Sequence, residues 1–139
     1  MASIFSVQAA LVEDYQALPG WEERYQKIIA LGRAMPPMPD ALKTDDRKVR
    51  GCSSTVWLHA DRVDGRVVYQ ADSDAAIPKG LAALLVQVYS GRTPAEILAA
   101  PPAFIEELGL DQNLSPNRAN GLTSMVRQLM ASAAALKDG

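Results

Sequence analysis

Cysteine and histidine are nearly absent from this sequence, whose 139 residues include one cysteine, Cys52, and one histidine, His59. One cysteine cannot form an internal disulfide. Zinc and iron–sulfur sites need several cysteine or histidine ligands, which this chain alone does not supply. We therefore expect no metal site and no cofactor.

Long hydrophobic runs and a strong charge of one sign are also lacking. The longest apolar runs, such as residues 81–86, are far shorter than the roughly 18 residues that span a bilayer. The formal net charge is -2 and the pI is near 5.3, so there is no general attraction to nucleic acid or to anionic lipid. We expect neither a membrane nor a nucleic-acid partner, and instead small molecules or proteins.

The length and composition are those of an ordinary globular protein. A chain of this length fits one domain, residues 1–139, and can bury a core without disulfides or metal ions to cross-link it. The opening residues 1–5 lack the basic start and the long apolar run of a signal peptide. Together with the single cysteine, this predicts a reducing, cytoplasmic location.

The single cysteine stands in the stretch Val49-Arg50-Gly51-Cys52-Ser53-Ser54, directly before a predicted strand. A free cysteine is most often a small buried hydrophobe. Such a cysteine normally lies among apolar residues, whereas Cys52 has Arg50, Gly51 and Ser53 as neighbours. Gly51 permits a backbone angle that other residues resist, so Cys52 can lie at a loop tip.

A basic run, Arg47-Lys48-Val49-Arg50, precedes the cysteine. A thiol reacts as its thiolate, and nearby cations favour that form. The run is therefore either an ordinary solvated surface or a binding patch that also activates Cys52. His59 is a conceivable catalytic base for the thiol, although proximity in sequence does not imply pairing in space.

Apolar residues at helical spacing predict six helices, with the prolines of residues 35–39 forming an extended connector after the second. The predicted helices cover residues 4–18, 21–32, 78–90, 94–99, 103–108 and 116–136. Thr93-Pro94-Ala95-Glu96 is a capping box that starts the fourth. Arg118 lies in the first turn of the last helix, where the helix dipole disfavours a cation. It is either a solvated arginine or a contact for an outside partner.

Two runs that favour β structure, residues 55–63 and 66–71, flank Asp64-Gly65, a dipeptide suited to a two-residue hairpin turn. This turn predicts one apolar face, which needs helices over it. That face comprises Val56, Leu58, Ala60, Val67, Tyr69 and Ala71.

Two carboxylates, Asp72 and Asp74, follow the predicted hairpin. They are either caps of the next helix or an acid–base pair, and capping is the favoured interpretation. Pro78 is predicted at the first position of that helix.

Several motifs in one order resemble the SufE family, the sulfur-acceptor partners of cysteine desulfurases in iron–sulfur cluster assembly. The resemblance covers nearly the whole chain. It rests on Trp21-Glu22-Glu23-Arg24-Tyr25 with Leu31-Gly32, on the segments 49–57 and 72–81, on Gly91-Arg92-Thr93-Pro94 and Leu108-Gly109-Leu110, and on Leu114-Ser115-Pro116-Asn117-Arg118 with Asn120-Gly121-Leu122. Two departures are Pro78, where the family usually has a β-branched residue, and Ser53, where a larger polar residue is frequent.

The resemblance implies an α+β fold, with helices packed on one face of a small antiparallel sheet, as in the scaffold proteins of cluster assembly. It implies that Cys52 forms a persulfide, with a pyridoxal-phosphate-dependent cysteine desulfurase as the donor and an iron–sulfur scaffold or another acceptor as the recipient. We expect Arg50, Gly51, Ser53 and Arg118 to contact the partner. The alternatives are a stand-alone cysteine hydrolase and a regulatory module with an inert cysteine, and a homodimer remains open.

An exposed persulfide would be open to oxidants and stray thiols. We therefore expect the Cys52 loop to turn its sulfur inward in the free protein, against the ends of the hairpin and the neighbouring helices. A desulfurase would then favour an outward loop.

Overall fold

This computed structural model describes residues 2–137, which form seven α-helices, two short 3-10 helices (Asp40–Leu42 and Asp45–Arg47) and one β-hairpin. The helices are α1 (Ile4–Gln16), α2 (Trp21–Ala34), α3 (Ala76–Tyr89), α4 (Pro94–Leu98), α5 (Ala103–Leu108), α6 (Leu110–Asn113) and α7 (Pro116–Leu136), and the strands are β1 (Val56–Val63) and β2 (Arg66–Ser73). The two strands pair antiparallel in a single sheet of the described residues. The expected α+β class is therefore confirmed.

The hairpin has the register that its turn predicts. Val63 pairs with Arg66 around the Asp64-Gly65 turn, where both residues have positive φ angles of 52° and 78°. The expected apolar face is buried except at Ala60, which is half-buried. Helix α3 packs on β2 and helix α7 packs on β1, so these two helices cover that face.

The expectation that Asp72 caps a helix is wrong. Asp72 lies in β2 opposite Trp57, and its buried carboxylate forms ion pairs with Lys43 at 3.0 Å and with Lys79 at 3.3 Å. Burial raises its pKa, but the hydrogen bonds from Lys43, the Ser73 amide and Lys79 outweigh that effect and lower it. Asp72 thus ties the connector before the hairpin to α3.

Asp74 does not cap α3 either, because its carboxylate accepts a hydrogen bond from the Thr55 amide at 3.1 Å. Helix α3 begins at Ala76, its N-cap is Ala75, and it has no side-chain cap. Pro78 is therefore its third residue and not its first. A proline is tolerated there because the amides of the first turn have no partner within the helix.

Two glycines let α2 and α3 cross in direct backbone contact. A Cβ atom on Gly80 would lie 2.3 Å from the Ile28 carbonyl oxygen, and one on Gly32 would lie 2.8 Å from the Gly80 amide nitrogen. Such distances are far inside van der Waals contact, so any side chain would separate the helices. This crossing fixes α3 as the buried centre of the fold.

Hydrogen bonds cap the start of helix α7 and hold the helix to the hairpin. Ser115 caps its first turn by accepting from the Arg118 amide at 3.3 Å, and the Tyr69 hydroxyl of β2 donates to the Leu129 carbonyl at 2.9 Å. Helix α7 thus has a fixed position beside the Cys52 loop. Within residues 2–137, no helix combines the length and apolar character needed to cross a membrane.

Candidate functional site

The loop that carries Cys52 is fastened at both ends. At its start, the Val49 amide donates to the Val56 carbonyl at 2.8 Å. At its end, the Thr55 carbonyl accepts from the Ser73 hydroxyl at 2.7 Å and from the Asp74 amide at 3.2 Å. Residues 50–54 therefore span two fixed points of the hairpin.

Gly51 has the unusual backbone angle that the sequence suggested, with φ at +90°. Its Cα faces α7 so closely that an added Cβ would lie 2.6 Å from the Ser124 hydroxyl oxygen. Glycine is favoured here mainly because the left-handed angle disfavours other residues, and a side chain would also have to displace the Ser124 hydroxyl.

The thiol of Cys52 faces inward. The residue is half-buried, and its Sγ donates to the Gly121 carbonyl of α7 at 3.5 Å. A Cβ on Gly121 would lie 3.4 Å from the same sulfur, so the absence of a side chain at Gly121 lets the loop lie flat on α7. The orientation agrees with the inward loop expected from the sequence.

A small cleft adjoins the sulfur. Its walls include Leu81 of α3 and Met125 of α7, with Arg118 at its edge, and its free space is about 10 Å³. That volume is near the minimum that holds one water molecule. The thiol therefore has both apolar and polar neighbours, the polar ones including Ser54 and Asn117, and very little free space.

Burial raises the pKa of the Cys52 thiol above its usual range. Burial is the only cause of this shift, so the resting structure does not support activation of the thiol by the preceding basic run, which is one of the two interpretations of that run. Arg47 donates to His59 and Thr44, and Lys48 pairs with Asp45 at 3.1 Å. Arg47 and Lys48 thus bind groups other than the sulfur, and burial makes the resting thiol weakly reactive.

His59 does not act on the thiol in this structure. Its Nδ1 accepts from Arg47 Nε at 2.9 Å, and its Nε2 lies 3.0 Å from the Asp61 carboxylate. Both ring nitrogens are thus occupied by groups other than Cys52, and the structure does not assemble a Cys–His pair.

The four expected partner residues lie around the thiol. Arg50, Gly51 and Ser53 are exposed in the loop, and Arg118 is exposed at the edge of the cleft that Cys52 lines. The structure therefore brings Arg118 beside a cysteine that lies 66 positions earlier in the sequence.

Sequence reasoning missed the roles of Gly121 and Ser124, although Gly121 is part of a motif noted above. A glycine inside a helical pattern is a signal of close backbone approach. Nothing in the pattern, however, indicates that the approaching group is a thiol. Across residues 2–137, no three Cys, His, Asp or Glu side chains are grouped closely enough to hold a metal ion.

Alkylation of Cys52 should require a higher pH in the folded protein than in the unfolded chain. The reactive form is the thiolate, and the raised pKa means that less of it is present at a given pH. The measurement is the rate of iodoacetamide labelling over a pH series, with and without denaturant. A folded profile that rises at lower pH than the unfolded one would contradict the effect of burial.

The same raised pKa links the thiol to stability. The folded state holds the thiol proton more tightly than the unfolded chain does. This contribution is fully present below the pKa of the unfolded thiol and is lost as the pH rises through that of the folded thiol.

The fold and the site define a class of small α+β proteins with a single thiol on a loop seated against a helix. A family model described as "SufE: Fe-S metabolism associated domain" matches residues 9–133. The chain belongs to the SufE family and has a role in iron–sulfur metabolism. Membership implies a cysteine desulfurase partner.

Named relatives agree with this assignment. An uncharacterized SufE-like protein of Synechocystis is 41% identical over 131 residues, which cover 94% of this chain and 82% of the relative. One of Rhizobium meliloti is 39% identical over 128 residues, covering 88% and 91%. SufE-like protein 1, chloroplastic/mitochondrial, of Arabidopsis thaliana is 42% identical over 124 residues, which cover 88% of this chain but 33% of that protein.

Among solved structures, the solution structure of a hypothetical protein from Thermus thermophilus has the same fold. The TM-score is 0.80 at 26% sequence identity, over 96% of this chain and 97% of the other.

Proposed function

We propose that Cys52 accepts sulfur from a pyridoxal-phosphate-dependent cysteine desulfurase and passes it to an iron–sulfur scaffold or another acceptor. The observation that carries this proposal is the placement of the only thiol of a SufE-family chain on a tethered loop, where a single weak hydrogen bond holds it inward. We also propose that the chain is one domain and acts in the cytoplasm.

The transfer follows the rules of thiol–disulfide exchange. The Cys52 thiolate attacks the outer sulfur of the persulfide on the desulfurase cysteine. A sulfur–sulfur bond forms to Cys52, the bond within the donor persulfide breaks, and the desulfurase cysteine leaves as its thiolate. No net oxidant or reductant is needed, so a single cysteine suffices.

The inward thiol must turn outward for this attack. In the resting loop its sulfur faces Gly121 and a cleft too small for a second cysteine. A partner that binds only the outward form shifts the loop toward it. We propose that Arg50, Gly51, Ser53 and Arg118 form the surface that such a partner contacts.

Intact-mass measurement tests the proposal directly. After incubation with a cysteine desulfurase and free cysteine, the chain should gain the mass of one sulfur atom, in a bond that reductant removes, on the peptide that contains Cys52. An unchanged mass with stimulated desulfurase turnover would favour a regulatory module. Hydrolysis of a small ester without any partner would favour a stand-alone hydrolase.

Gly51→Ala should make Cys52 react faster with a bulky alkylating reagent. The positive φ angle strains alanine, and the added methyl would lie 2.6 Å from the Ser124 hydroxyl, so both effects favour a loop that has moved off α7. Destabilisation of this kind costs about 1–3 kcal/mol, which corresponds to a rate increase of about fivefold to more than a hundredfold if the reaction proceeds through the open loop. The measurement is the alkylation rate by mass spectrometry.

The double variant Gly51→Ala/Ser124→Ala separates this clash from backbone strain. Removing the hydroxyl leaves the Ser124 Cβ 3.5 Å from the new methyl, an ordinary contact, so alkylation should slow in part, while the strain of the positive φ angle remains. Ser124→Ala alone should stay near the original rate. If the double variant reacts as fast as Gly51→Ala, the positive φ angle and not Ser124 controls the loop.

A further inference from the structure

Two groups of α7 seat the Cys52 loop: the Gly121 carbonyl, which accepts from the thiol, and the Ser124 side chain, which lies under Gly51. We call these two groups the seat. Within the part of the chain that the structure describes, residues 50–54 make no side-chain hydrogen bond or ion pair other than that of the thiol. The position of the loop therefore depends on how well its sulfur fits the seat.

The seat suits a neutral thiol. A carbonyl oxygen is only an acceptor, so it favours a sulfur that carries a proton. After sulfur transfer, the Sγ of Cys52 is bonded to a second sulfur and has no proton left to donate. Its lone pairs then face those of the Gly121 oxygen, and the hydrogen bond between the thiol and the seat is lost.

Limited space and negative charge also disfavour the persulfide in the seat. The outer sulfur of a persulfide is larger than a water molecule, while the adjoining cleft has about 10 Å³ of free space. A persulfide is also more acidic than a thiol and is largely anionic near neutral pH. The walls formed by Leu81 and Met125 offer an anion no donor, while the polar lining residues Ser53, Asn117 and Arg118 are exposed to water.

The outward position offers a persulfide anion water and positive charge, which the Gly121 carbonyl and the Ser124 side chain do not supply. Arg118 is exposed at the edge of the cleft, and Arg50 is exposed in the loop itself. A persulfide anion that leaves the seat gains water and two nearby guanidinium groups.

We propose that the seat stabilises the inward loop when Cys52 is a thiol and destabilises it when Cys52 is a persulfide, so that sulfur loading itself opens the Cys52 loop. Gly121 and Ser124 are positioning residues in this scheme, because they act only through Cys52 and its loop. The inference rests on the proposed function, since it concerns the state that sulfur transfer produces. A protein whose Cys52 carries the persulfide would therefore expose its outer sulfur before it binds the next acceptor.

Chemical loading tests this without any desulfurase. Cys52 is first converted to a mixed disulfide with an aromatic thiol, and hydrosulfide then displaces the aromatic thiolate and leaves the persulfide. Intact mass confirms the load, and hydrogen exchange is compared between the thiol and persulfide forms. Amides of residues 50–54 should exchange about tenfold faster in the persulfide form, while peptides of α2 and α3 stay unchanged.

Two further samples serve as references for the exchange rate of a loop that has left the seat. The methyl disulfide of Cys52 adds a sulfur and a methyl group, which exceed the cleft, and sets the exchange rate of a fully unseated loop. In Gly51→Ala the loop is already displaced, so loading should bring little further acceleration. Equal or slower exchange in the persulfide form of the unchanged protein, with rapid exchange in the methyl disulfide, would overturn the inference. It would leave the proposed function intact, because acceptance of sulfur from a desulfurase is measured separately.

Discussion

Cys52→Ser is expected to abolish sulfur acceptance completely. No other residue of the chain carries a thiol, and a serine hydroxyl cannot form a persulfide. Stability should change by less than about 1 kcal/mol, because the residue lies in a half-buried loop and the hydroxyl can still donate to Gly121. The measurements are intact mass after incubation with a desulfurase and cysteine, and thermal melting.

A matched control is Cys52→Ser/Ser53→Cys, which moves the thiol to an exposed position in the same loop. This variant should be alkylated rapidly, yet it lacks the seated thiol. Persistence of a reductant-sensitive sulfur on the Cys52→Ser single variant would refute the assignment of Cys52. Stimulation of the desulfurase that survives in the same variant would assign that effect to the surface and not to the thiol.

Among the glycines that the structure describes, Gly80 is the one whose replacement by alanine should lower stability most, because its added Cβ has the shortest contact. Alanine is the better helix former by about 1 kcal/mol. The new Cβ, however, would lie 2.3 Å from the Ile28 carbonyl oxygen and 2.5 Å from its Cγ2. Since helix backbone cannot move aside as a flexible side chain does, the steric term dominates, and we expect a loss of about 3 kcal/mol.

The measurement is the free energy of unfolding by denaturant, with Gln87→Ala as the control. Gln87 is exposed on the same helix, so its truncation should leave stability nearly unchanged. A Gly80→Ala protein as stable as the original would show that α2 and α3 can separate freely, contrary to the crossing described above.

The parts of the fold that the sequence predicts well are those set by local rules. The Asp64-Gly65 turn determines the register of the hairpin, and the pairing of Val63 with Arg66 follows from it. The capping box that starts at Thr93 is likewise local, and both of its hydrogen bonds form. Helix α6 is not predicted, because four residues are too few to show a periodic pattern.

The site depends on contacts between residues far apart in sequence, and these are harder to predict. The pattern around Asp72 favours a cap because its ion-pair partner Lys43 lies 29 positions earlier and gives no local signal. The basic run next to Cys52 suggests an activated thiol, but short-range proximity does not decide the direction of those side chains. The sulfur instead faces Gly121, 69 positions later, and burial governs its pKa.

The two fastened ends of the Cys52 loop limit its reach. Cys52 is three residues from Val49 and three from Thr55, and an extended chain spans at most about 3.6 Å per residue. Its Cα can therefore lie no more than about 11 Å from either end, however far the loop swings. The Cys52 side chain adds only a little to this reach, so any donor must bring its own sulfur close to the hairpin. Sulfur delivery therefore depends on close docking of the two proteins and not on a long flexible arm.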